Sequence, residues 1–385
     1  MRRIYQSDLV LHQPLPWSLY DELGNLLLRA GLTLTSQRHL DKLLQRGAYV
    51  QLQLQTPPAA PADAAAPAST TVLRMGEPVF VRAAHMARQL TQLHAQLHTG
   101  TVPYNMVAVV RQLAHHLIDA CSEDADALLA ALHLERQASY LATQQLLGAA
   151  VVDTVAQTLG MDESTRATLA CAALSRDVTL LPEQAQLDKQ DTPLTAQQRQ
   201  WVQGHPARSV ALLQQVGVRD ALWLQLVQQH HERIDGSGYP AQLVGEAIAQ
   251  SARLLGIADS YAAMVTPRSN RQAHFPHGAL QTLFAQRGRL YDDALLQLTI
   301  KTLSVYPPGS LLRLANGETA VVRARRAPRQ PLDLWCLYDP QGLPLAQAQP
   351  RLASQPAHQI TGGVRAEDCQ SAGPMLQALW AKATA

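Results

Sequence analysis

Gln229-His230-His231-Glu232-Arg233-Ile234-Asp235-Gly236-Ser237-Gly238-Tyr239-Pro240 is the stretch that decides how this chain is read. The apolar spacing from Leu222 to Gln229 predicts a helix that ends at the two adjacent histidines. The glycine-rich turn after it permits positive φ and close backbone approach, as a loop folded over a ligand requires. Two imidazoles at a helix end ligate a divalent ion when a carboxylate lies opposite. His115-His116 repeats the doublet without a glycine loop and reads as structural, as do His94 and His98.

Outward from this stretch, His205 lies in Gly204-His205-Pro206, and Asp177 lies further upstream. Asp259 follows in Gly256-Ile257-Ala258-Asp259-Ser260-Tyr261. All fall on predicted helices, because residues 80–300 carry helical spacing nearly throughout. Leu90, Leu93 and Leu97 show it, as do Leu113, Leu117 and Ile118. The expected fold is mainly α: a helical bundle, the kind of core in which facing helices build metal sites.

The flanks read differently. Residues 1–50 are expected to form a small N-terminal α/β module, with a hairpin at Gly24-Asn25 and a helix capped by Thr35 or Ser36. Residues 51–72 are a Pro/Ala-rich linker. Residues 73–140 are a helical lead-in, and 141–304 the helical domain. Residues 305–350 form a small C-terminal β-module with a type I′ turn at Asn316-Gly317. Residues 351–385 read as a polar tail with a short helix near 374–382.

Composition narrows the class. The chain has 385 residues, 47% hydrophobic and 16% charged, which excludes wholesale disorder. A net charge of +2 and dispersed tryptophans offer no platform for nucleic acid. Cys121, Cys171, Cys336 and Cys369 form no CxxC pair, so no disulfide framework is indicated. No apolar run is long enough to insert in a membrane, and no signal-peptide core is evident. The expectation is a cytoplasmic protein.

His230-His231-Glu232, Asp235-Gly236-Ser237-Gly238-Tyr239-Pro240, Ala258-Asp259-Ser260-Tyr261 and Arg268 together resemble the HD-GYP domain. The resemblance covers roughly residues 140–330, and residues 9–50 resemble an N-terminal module that often precedes such domains. It implies an HD-superfamily bundle with a divalent metal, iron or manganese, and hydrolysis of the bacterial second messenger cyclic di-GMP. Signalling proteins and a second copy of the chain are further candidate partners.

The name-giving His-Asp-x-Gly-Lys motif is altered. This chain has Ser175-Arg176-Asp177-Val178-Thr179-Leu180, with Arg176 for the histidine and Leu180 for the phosphate-binding lysine. By resemblance, one ion takes the bridging, catalytic Asp177 with His205, His230 and His231, a complete set. The other takes an upstream residue, best matched by Gln144, the HD histidine and Asp259. Of these only Asp259 remains. Arg176 stays protonated and lacks a lone pair for a cation, so it is expected to stand in the missing ion's place and pair with Asp177 or Asp259. One ion is therefore expected, with hydrolysis weak or lost. Asp235, Gly236, Gly238, Tyr239, Pro240, Arg268 and Lys189 are the expected substrate contacts. The alternative is a non-catalytic receptor or interaction module that binds cyclic di-GMP or a protein partner; the plainer readings are an ordinary helix-end ion pair at Arg176-Asp177 and an inert scaffold that keeps the fold without the chemistry.

Overall fold

The computed structural model describes residues 1–4, 9, 15, 17–22, 24, 26–34, 36–50, 53–54, 77–180, 187, 190, 192–268, 272–326 and 330–381. Its centre is helical. The helices are α1 (Gln37–Arg46), α2 (Val79–His98), α3 (Met106–Leu134), α4 (Tyr140–Thr158), α5 (Glu163–Ser175), α6 (Ala196–Gln203), α7 (His205–Gln215), α8 (Ala221–Gln229), α9 (Gln250–Val265), α10 (Pro276–Phe284), α11 (Asp293–Leu303) and α12 (Gly373–Leu379). Asp124 breaks α3 with an extended backbone, and its carboxylate accepts from Ala127 N to restart the helix.

Local signals set the helix starts. The Ser139, Asp162, Asp220 and Asp292 side chains each accept a first-turn backbone N–H, of α4, α5, α8 and α11 respectively. Thr195 and Gln198 form a reciprocal capping box on α6. Helix α4 is buried continuously from Ala142 to Ala156, so it has no solvent face. It is the central rod, packed by α2, α3, α5, α9 and α11.

Strands flank the bundle. β1 (Arg2–Arg3), β2 (Leu19–Tyr20), β3 (Leu26–Leu28) and β4 (Tyr49–Val50) form a sheet ordered β1-β4-β2-β3, closed by α1 over Ile4, Leu19, Leu40 and Val50. β5 (Gln53–Leu54) pairs in parallel with β6 (Thr101–Val102). Asn25, Thr35, Lys189 and most of the expected linker lie outside the described residues. β7 (Leu311–Leu314), β8 (Thr319–Val322), β9 (Asp333–Tyr338), β10 (Pro344–Leu352) and β11 (Ile360–Gly363) make an antiparallel sheet ordered β10-β9-β8-β7-β11.

Two expectations are corrected. Leu314 N donates to Glu318 O, so the β7–β8 loop has three residues, with Gly317 alone at positive φ; a type I′ turn needs two such residues. Residues 352–381 are not a tail. β11 pairs with β7, and Trp380 stacks on Phe80 at 5.2 Å while its indole N–H donates to Arg323 O. One apolar core runs from Val79 to Trp380 and takes in Leu311, Val321 and Leu337. The lead-in, the bundle and the C-terminal sheet therefore share an interior.

Candidate metal centre

Four chain segments meet beside α4. Helix α5 ends at Arg176 and Asp177, α7 opens on His205, α8 ends at His230 and His231, and α9 contributes Asp259. Helix α4 contributes Gln144 and Gln145. Donor atoms of Asp177, His205, His230 and His231 all lie within 4.8 Å of one another.

The imidazoles are held in one tautomer. His205 Nδ1 lies 2.6 Å from Val202 O, and His230 Nδ1 lies 2.8 Å from Val227 O. A carbonyl only accepts, so both Nδ1 atoms carry the proton and both Nε2 atoms present a lone pair. Those two Nε2 atoms face each other at 3.3 Å, and they lie 3.3 and 3.8 Å from Asp177 Oδ1. Two lone pairs and a carboxylate oxygen aimed at one point repel unless a cation separates them. The donor set, three imidazoles and one carboxylate, suits a borderline divalent metal, and the backbone bonds behind the rings are the support a metal histidine needs.

Burial alone would raise the Asp177 carboxyl, but the Arg176 guanidinium holds it well below the usual carboxylate range. Burial pushes His205 and His231 down, and for His231 the neighbouring His230 and His205 push the same way. Both conditions favour the ligating forms, an ionised aspartate and neutral rings.

The other half of the pocket is filled by protein. Arg176 is completely buried. Its Nη2 and Nε donate to Asp259 Oδ1 at 2.7 and 3.1 Å, its Nε lies 3.4 Å from Asp177 Oδ2, and its Nη1 donates to Ala173 O. Gln144 Nε2 donates to the same Asp259 oxygen at 2.6 Å. Asp259 Oδ2 lies 3.7 Å from His231 Nδ1. Where a second cation would need donors, the pocket presents a guanidinium and an amide N–H. Leu180 is buried and offers no charge.

The loop after α8 is shaped by backbone approach. A Cβ on Gly238 would fall 2.4 Å from Arg233 N and 2.6 Å from His231 O, so only glycine fits there. Glu232, 5% exposed, accepts from Ala241 N and Leu243 N and ties the loop closed. Tyr239 is thereby laid on His231, with ring centroids 4.7 Å apart. Asp235 is occupied locally, accepting from Ser237 N and Oγ, and Gly236 turns the chain with positive φ. The Tyr239-Pro240 peptide is cis. Arg268 lies against Tyr140, with Nη2 2.5 Å from its hydroxyl and the guanidinium over its ring.

Three participants escape the sequence reading. Gln145 Nε2 donates to Asp177 Oδ2, and its Oε1 pairs with the buried His94. Glu232 belongs to the quoted motif but reads there as a bystander. Adjacent glutamines on α4 were the signal for Gln145; His94 carries no local signal, since its partner is 51 positions away.

Comparison with known proteins agrees with this geometry. The HD domain family matches residues 127–295. "Cyclic di-GMP phosphodiesterase response regulator RpfG" of Xanthomonas campestris is 36% identical over 158 residues, 38% of this chain and 40% of that protein. The chain thus spans less than half of this relative. "Cyclic di-GMP phosphodiesterase PA4108" of Pseudomonas aeruginosa is 25% identical over 309 residues, 76% of this chain and 74% of that protein. The solved structure of Bd1817, an HDG"Y"P protein from Bdellovibrio bacteriovorus, aligns over 77% of this chain and 97% of its own at 16% identity and a TM-score of 0.46. No helix among the described residues is long and apolar enough to cross a membrane. The HD domain match spans the histidines and both aspartates, and with the relatives it supports an HD-GYP family domain over residues 127–295.

Proposed function

We propose that this domain holds one divalent ion on Asp177, His205, His230 and His231 and presents it to a phosphodiester of cyclic di-GMP, with hydrolysis weak or lost. The 3.3 Å approach of two lone-pair-bearing Nε2 atoms beside Asp177 Oδ1 carries the metal assignment. The ligand assignment rests on the relatives, two of which are named cyclic di-GMP phosphodiesterases. When bound, such an ion supplies Lewis-acid polarisation of a phosphoryl oxygen and acidifies a water.

The chain's own residues do the remaining work. Asp177 and the rings fix where the phosphodiester sits. Tyr239, seated by Gly236, Gly238 and Pro240 above His231, gives a face on which a base stacks. Arg176 neutralises Asp259 and part of Asp177 without offering a nucleophile. Each electrostatic element removed from such a site costs about 10²–10³ in rate, and both the second ion and the lysine replaced by Leu180 are absent from this scheme.

The second reading is a non-catalytic receptor or protein-interaction module for the same dinucleotide. The observation that favours it is the buried Arg176–Asp259 pair, which completes the pocket electrostatically without a second ion. Metal analysis joined to cyclic di-GMP binding and turnover assays separates the outcomes. One ion per chain with slow turnover supports the hydrolase, and one ion with binding alone supports the receptor. Two ions with brisk turnover refute the role given to Arg176. A metal-free protein that binds no cyclic di-GMP refutes both readings.

A further inference from the structure

A cavity of about 690 Å³ lies where the end of α3, the segment after α9 and the C-terminal sheet meet. None of its lining residues belongs to the histidine–aspartate cluster or to the 236–240 loop, and of the expected substrate contacts only Arg268 reaches it. Its volume lies in the range of small-molecule sites. Three arginines, Arg136, Arg268 and Arg365, line it with one carboxylate residue, Glu367; Arg268 is turned onto Tyr140, and Arg136 Nη1 donates to His133 O and Glu135 O. Glu367 accepts from Arg136 Nε at 3.1 Å, whereas Arg365 donates to the neutral Gln272 amide at 2.6 Å. The planar forks of arginine match phosphate oxygens.

The apolar side is also built. Phe275 lines the cavity and is seated on Gly363, where a Cβ would come within 2.5 Å of the ring. The Arg365 guanidinium lies 5.7 Å from that ring's centroid. Ser310 also lines the cavity, with its side chain buried behind the wall. A second hollow of about 380 Å³ adjoins across Phe275 and Arg365.

We infer that this cavity is a second ligand site, for a mononucleotide, with Arg136 and Arg365 on the phosphate and Phe275 against the base. The inference is independent of the metal centre. Calorimetric titration of the full chain with adenosine 5′-monophosphate tests it, with inorganic phosphate as the comparison. The nucleotide is expected to bind more tightly than phosphate, and equally well after the metal ligands are changed by His205→Gln with His230→Gln. Arg136→Gln with Arg365→Gln, both partly exposed positions, is expected to weaken it about tenfold or more. Phe275→Leu is expected to weaken the nucleotide while leaving phosphate binding in place. Undiminished binding in the arginine variant, loss in the histidine variant, or no binding to the unaltered chain overturns the site. Equal affinity for phosphate and nucleotide overturns the nucleotide assignment.

Discussion

Arg176 Nη2 stands 2.7 Å from Asp259 Oδ1 in the interior of the bundle, and the whole arginine side chain is out of contact with solvent. The same guanidinium reaches Asp177 through Nε. Burial would lower the arginine's affinity for its proton, yet Asp259 and Asp177 outweigh it and keep the group charged. A fixed positive charge thus serves two carboxylates that would otherwise repel each other.

Removing that charge should therefore open a cation site. In Arg176→Ala, Asp259 keeps its buried carboxylate and loses its partner, which costs about 3–5 kcal/mol. Urea unfolding should show this loss in chelator. Excess manganese should restore more stability to the variant than to the unaltered chain, because an ion binding only the folded state stabilises it by mass action. Equal manganese responses in the two proteins would contradict a substitute-charge role.

Restoring the missing ligand is the complementary test. Arg176→His should move the metal content from one ion per chain towards two, and adding Leu180→Lys should raise turnover of cyclic di-GMP. Leu180 is 8% exposed, so the new ammonium has to extend along its stem to reach the pocket. Metal content and turnover unchanged from the parent would point to a scaffold that has lost more than these two side chains.

Gly238→Ala probes the loop rather than the ion. The added methyl meets Arg233 N, Glu232 Cα and His231 O, all backbone atoms that cannot rotate away. The loop must shift, which lifts Tyr239 from His231 and disturbs the bonds from Glu232 to Ala241 and Leu243. The expected outcome is a destabilisation of about 1–3 kcal/mol with loss of dinucleotide binding. Metal content should survive, since the rings rest on Val202 and Val227. Retained dinucleotide affinity would show that the loop does not form the binding surface.

The sequence is most legible where chemistry and backbone geometry demand one residue type. Residues 229–240 are such a stretch: Gly238 answers to a close approach and the histidines to a helix end. The all-α core is legible because periodic leucines repeat over long helices. The rest depends on facts that spacing does not carry. Whether Gln144 or Gln145 meets Asp177 is set by the rotation of α4, and the structure uses both, one on each aspartate. The C-terminal residues look like a tail because Ile360–Gly363 is short and half glycine. Its pairing with Leu312–Leu314 is a long-range event. The Asn316-Gly317 turn differs because Glu318 closes on Leu314 and adds one residue to the loop.

The last prediction concerns acid. His133 on α3 is buried with Nε2 2.7 Å from the Tyr261 hydroxyl, and burial pushes its pKa down to about 4, with nearby Arg136 acting in the same direction. His94 is likewise lowered to about 4 by burial, against the opposing Gln145 bond. A ring neutral in the folded state but free to protonate when unfolded makes the unfolded chain bind more protons in acid. The stability it contributes is therefore full above an unfolded pKa near 6.5 and is lost progressively as pH falls towards 4. Each ring should account for about 2 kcal/mol between pH 7 and pH 5. His133→Gln retains a polar partner for Tyr261 but does not titrate. Its urea midpoint should fall less steeply over that interval than the unaltered chain's, by about one ring's share. Parallel pH profiles for the two proteins would mean that His133 takes up its proton in the folded state as readily as in the unfolded one.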